Sequence, residues 1–114
     1  MTMPMAIEFR IDMHGVEADL VSYARGIYRL ERRDGRYGIC YLSTIYERDT
    51  LTAVLPGDSV PIDRRRLAAQ PSSYRMLAYY FDGRGYDVDP DLPGDHRPES
   101  GDALLAEAFD WLKN

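Results

Sequence analysis

Asp87-Val-Asp-Pro-Asp91, with Asp95 four residues on, is a dense run of carboxylates. Alternate carboxylates open a calcium loop, because a hard cation takes oxygen ligands at the first, third and fifth positions. The pattern then departs from that loop. The sixth position needs glycine and is Leu92; the twelfth needs a bidentate glutamate and is Pro98. Two readings remain beside weak calcium binding: a surface that docks a protein, and a solvated loop with no role. A protein docked there is expected to be basic, drawn in by opposite charge. Tyrosine is an anchoring residue at interfaces. The candidate partner-binding set is therefore Asp87, Asp89, Asp91, Asp95, Tyr80 and Tyr86.

Cys40, His14 and His96 are the thiol and the two imidazoles of the chain. They do not fall at zinc spacing, and one Cys with two His is too few for a four-ligand structural site. A Cys–His nucleophilic pair needs only proximity in space. Strand alternation sets Cys40 opposite Arg29, where a guanidinium would favour the thiolate. The competing reading is an inert thiol, a turn histidine before Gly15 and a loop histidine between Asp95 and Arg97. The sequence has no G-x-S-x-G elbow, no H-E-x-x-H helix and no phosphate loop, since Gly83-Arg-Gly85 lacks the further glycines. No catalytic residue, metal ligand or cofactor is therefore assigned.

Nine tyrosines are present, and Tyr79 and Tyr80 are neighbours. In a strand they point to opposite faces, so one face exposes aromatic surface unless a helix covers it. The alternative is a tyrosine-rich core whose hydroxyls reach the rim. Arg64-Arg-Arg66 reads as a solvated face or as a partner for acidic residues elsewhere.

Residues 82–114 carry nine acidic and three basic side chains, whereas residues 1–81 carry ten and eleven. The net charge of −5 thus resides in the last third. Such a surface repels nucleic acid and anionic membrane. The opening Met1-Thr-Met-Pro-Met-Ala has neither the basic nor the apolar region of a secretory leader. A single cysteine excludes an internal disulfide and suits a reducing compartment, so a cytoplasmic location is expected. No apolar run approaches the roughly 20 residues of a membrane span.

The elements that must position these groups follow from periodicity. At 114 residues the chain fits one domain, able to bury roughly 65% of its unfolded surface. Ile7, Phe9, Ile11 and Met13 alternate with polar residues and predict a strand over 6–13. Val16, Leu20, Tyr23 and Ala24 fit a short helix over 16–25, with an early start to the next strand as the rival. Asp34-Gly35 predicts a type I′ hairpin. Its pairing sets Arg32 against Tyr37, Leu30 against Ile39 and Tyr28 against Tyr41. The second strand runs on to Tyr46, Glu47–Asp49 reads as a turn, and 50–55 as a further strand. Asp63 caps a brief helix that Pro71 stops. Asp82-Gly83 predicts a second hairpin, pairing Tyr79 with Tyr86 and Leu77 with Val88. Residues 89–101 form a loop, and 102–113 a helix capped by Ser100 or Gly101.

The expected fold is a single α+β domain in the order β-α-β-β-β-α-β-β-α. It has a mostly antiparallel sheet of five or six strands and two or three helices. Two function classes stay open. One is a small acidic protein-binding module, in its sharper form an immunity or antitoxin-type inhibitor of a basic toxin or nuclease. A homodimer and a secretion-chaperone-like dimer belong to the same class. The other is a small enzyme or ligand-binding domain with a tyrosine-lined pocket between sheet and helices.

Overall fold

His14 and Gly15 both take left-handed φ values, +54° and +88°, as the two central residues of a tight hairpin turn require. The Asp12 carboxylate accepts the Gly15 N–H at 2.9 Å and closes that turn. The chain therefore reverses directly from β1 (Thr2–Met13) into β2 (Val16–Arg33). The expected helix over 16–25 is a strand. Val16 to Ala24 alternates at period 2, with Ala18, Leu20, Ser22 and Ala24 buried on one face. The twelve-residue pairing with β1 outweighs the weak helical spacing. The computed structural model describes the backbone of residues 2–113, and their side chains except for 39–42 and 111–113.

The Asp34-Gly35 turn forms as its dipeptide predicts, with φ of +53° and +77°. It leads into β3 (Arg36–Ala53), and the sheet is antiparallel in the order β1-β2-β3. Arg32 faces Tyr37 and Leu30 faces Ile39, as the register predicts. Tyr28, however, faces Leu42, and Arg29 faces Tyr41. A bulge at Cys40 absorbs one residue and shifts the rest of the ladder. A second register shift, between Tyr23 and Ala24, absorbs Glu47. The turn expected at Glu47–Asp49 is thus a bulge inside one continuous strand. Among the described residues three strands replace the expected five or six, with an isolated parallel bridge from Gly94 to Tyr46 as a fourth extended contact.

The second Asp-Gly pair behaves differently. Residues 75–83 are a helix, α2 (Arg75–Gly83), rather than a strand leading into a hairpin. No pairing of Tyr79 with Tyr86 or Leu77 with Val88 exists. Ala78 and Tyr79 are buried on the side that meets the sheet, and Met76, Leu77 and Tyr80 pack around that core. The helix start is held from outside. The Asp49 carboxylate on β3 accepts the N–H groups of Met76 and Leu77 at 3.0 and 2.9 Å. These are the donors a helix N-terminus leaves unpaired. Gly83 ends the helix, and the left-handed residue follows at Gly85, φ +86°.

Before α2 lie α1 (Arg64–Ala68), capped by Asp63 as expected, and a 3-10 turn, Ser72–Tyr74. α1, the turn and α2 cover the face that carries Leu20. Ile11, Met13, Ala18, Leu20 and Tyr79 form the core there, each large side chain contributing about 1.5–3 kcal/mol by burial. The chain then rounds the β3 edge at Pro93–Asp95. It continues as α3 (Pro98–Lys113), which begins four residues earlier than expected and takes in Ser100 and Gly101. Gly101 lies against Ile45, on the opposite face: a Cβ there would stand 3.3 Å from the Ile45 Cγ2. Both faces therefore carry helix, and the class is α+β in the order β-β-β-α-α-α. No helix among the described residues is long and apolar enough to cross a membrane.

Candidate functional site

The carboxylate run lies on the segment between α2 and α3, and Tyr74 shapes it. Tyr74 is fully buried. Its hydroxyl donates to the Asp89 carbonyl at 3.0 Å and accepts the Leu92 N–H at 3.2 Å. Burial pushes its phenol pKa up, so the group stays neutral and able to make both bonds. Its ring packs on Tyr46 at 5.2 Å and meets the edge of His96 at 5.6 Å. The Tyr46 N–H donates to the Pro93 carbonyl, and the Asp95 N–H to the Tyr46 carbonyl. Arg97 donates to the Asp91 carbonyl at 2.7 Å. The peptide groups of this loop are therefore spent on the core, as a segment packed against a protein interior requires.

Within that frame the six sequence-nominated residues divide. Asp87 and Asp91 have exposed side chains. Asp89 is exposed too, but its carboxylate accepts the Asp91 N–H at 2.8 Å. Asp95 is drawn away from the run: Arg25 bridges it at 2.9 Å and Glu47 at 2.6 Å. Those carboxylates raise the Arg25 pKa above its ordinary value, chiefly through the Asp95 hydrogen bond. Tyr86 is exposed and lies edge-on against Phe81 at 5.6 Å. Tyr80 belongs to α2 and faces a different site.

Ser73 and His96 form a pair that sequence reading does not reveal, because 23 residues separate them. The Ser73 Oγ accepts the His96 N–H at 2.7 Å and lies 2.8 Å from its Nδ1. A serine beside an imidazole resembles a nucleophile with its base. Here Ser73 is 1% exposed, so no substrate reaches it, and the pair latches the loop to the 3-10 turn. Gly94 completes the latch: a Cβ would sit 2.7 Å from the His96 Nδ1 and 2.8 Å from the Ser73 Cβ. The Cys40 side chain lies outside the described residues. Among the described residues no group of three His, Cys, Asp or Glu is placed to hold a metal ion.

A second site lies where the β1–β2 turn meets α2. A pocket of about 110 Å³ is lined by Asp12, His14, Arg66, Tyr79, Tyr80 and Arg84, among others. Tyr79 is 2% exposed. Its hydroxyl accepts the Asp63 N–H at 3.1 Å and lies 3.2 Å from the His14 Nε2. The Arg66 guanidinium stacks over the Tyr79 ring at 5.1 Å, and Arg84 over Tyr80 at 5.5 Å. Tyr79 and Tyr80 line this pocket from α2, not from the strand expected over 74–81.

No protein-family model matches this chain. It is similar to a PEP2-like protein and to pea pathogenicity protein 2, both of Fusarium vanettenii. Each is 30% identical over 111 residues, covering 91% of this chain and 48% of the relative. A protein of Emericella nidulans, named only as uncharacterized, is 32% identical over 116 residues, covering 90% of this chain and 48% of its own length. The chain spans about half the length of these curated relatives.

Proposed function

We propose that the chain is a non-enzymatic binding module that docks a basic protein on the loop carrying Asp87, Asp89 and Asp91. One observation carries this reading. The loop backbone is tied to Tyr74 and Tyr46 while the carboxylates of Asp87 and Asp91 stay exposed. Charges on a prearranged backbone attract a partner without the entropic cost of ordering the loop on binding. Tyr86, exposed beside them, adds aromatic contact area. An immunity or antitoxin-type inhibitor of a basic toxin or nuclease is the sharper form of the proposal. A cytoplasmic location belongs to it as well.

The test uses an Asp87→Asn, Asp91→Asn variant, which leaves the Asp89 bond to the Asp91 N–H in place. Wild type and variant are immobilised and challenged with lysate of the source organism at low and high salt. The proposal predicts a stoichiometric basic protein, held by wild type at low salt and lost in the variant or at high salt. Retention indifferent to both, or no retained protein, overturns it.

A further inference from the structure

The pocket beside the β1–β2 turn gathers two guanidiniums and an imidazole from three separate elements. Arg66 enters from α1, Arg84 from the residue after α2, and His14 from the turn itself. Two carboxylates stand against the two guanidiniums, but neither holds a guanidinium fork by two short bonds. Asp12 is turned to the Gly15 N–H at 2.9 Å. Asp82 meets Arg66 at 3.3 Å, long for a charge-assisted hydrogen bond. A guanidinium carries five N–H donors in a planar fork. The bond from Arg66 to Asp82 and that from Arg84 to the Tyr80 hydroxyl at 3.3 Å each use one terminal nitrogen.

Each guanidinium also lies over an aromatic ring, Arg66 at 5.1 Å from the Tyr79 centroid and Arg84 at 5.5 Å from that of Tyr80, a cation–π contact that restricts it before a ligand arrives. Tyr79 is fixed in turn by its bonds to the Asp63 N–H and to His14. The volume limits what fits. The pocket has a volume of about 110 Å³. That is far below the roughly 300–1,000 Å³ of sites for drug-sized ligands or cofactors.

We infer that this pocket binds a small oxyanion, a carboxylate or phosphate group, between Arg66 and Arg84, with His14 and the Tyr80 hydroxyl at its rim. The site is independent of the acidic loop, and its occupant is the opposite of that loop's basic partner. A ligand larger than the pocket presents this group and leaves the rest of itself in solvent.

The experiment is an NMR titration of the whole chain with inorganic phosphate, and separately with acetate, at constant ionic strength. The backbone amides of residues 79–84 and the His14 ring are followed in wild type, Arg84→Gln, Arg66→Gln and, as a control at the hairpin tip, Arg36→Gln. The expected result is saturable shifts confined to these residues in wild type and Arg36→Gln, with affinity lowered about tenfold or more in each pocket variant. Saturation by phosphate, by acetate or by both identifies which oxyanion is preferred. Shifts that fail to saturate, or that are the same in the pocket variants as in wild type, overturn the inference. Arg84 is exposed, so Arg84→Gln keeps the test valid if Arg66→Gln perturbs α1.

Discussion

Single side chains decide much of this molecule, and the decisive ones act across long sequence separations. Asp49 is the clearest case. It supplies the cap that α2 lacks, from a strand 27 residues earlier. Burial outweighs its two N–H bonds and pushes its carboxyl pKa above the ordinary value. The folded chain therefore holds this proton more tightly than the unfolded chain. Asp49 contributes stability that is full below the unfolded value of about 3.9 and is lost as pH rises through the folded value. Asp49→Ala is expected to cost about 1 kcal/mol as a lost cap. By urea denaturation that cost should be larger near about pH 3 than near about pH 7; a cost that grows with pH would refute the assignment. Tyr74→Phe should cost about 1–3 kcal/mol, because it strands the Asp89 carbonyl and the Leu92 N–H beside a buried ring. Asp63 was legible as a cap because its donors lie two and three residues ahead. Asp49, Tyr74 and the Ser73–His96 latch were not, since each finds its partner through the fold.

At the scale of elements, the dipeptide Asp-Gly appears twice and ends in two structures. Asp34-Gly35 sits between β-branched and aromatic alternation on both sides, and it closes a hairpin. Asp82-Gly83 follows a segment whose apolar residues come in adjacent pairs, Met76–Leu77 and Tyr79–Tyr80. That pattern suits a helix face, and the Asp49 cap settles it. The dipeptide does break the element, since α2 ends at Gly83, but it closes no hairpin. His14-Gly15 was the reverse: a break read before a helix, which in fact joins two strands. The bulges at Cys40 and Glu47 left no local signature, because an extra residue is accommodated by the partner strand.

For the molecule as a whole, three long strands make an extended body of 53 × 30 × 24 Å. The helices gather over part of each face rather than over a wide five- or six-stranded sheet. Two sites lie apart in it: an acidic loop on the chain segment that rounds the β3 edge beside Tyr46, and a tyrosine- and arginine-lined pocket at the β1–β2 turn. Composition located the first, because a charge run is visible without a fold. The second depended on Arg66, Arg84 and His14, which only the folded chain brings together. The central claim is that the acidic loop is held in one conformation before any partner arrives. The heteronuclear {1H}–15N NOE of residues 87–95 tests it most directly. The account predicts values equal to those of α2 in wild type, falling in Tyr74→Phe. Low values already in wild type, like those of a free linker, would contradict it.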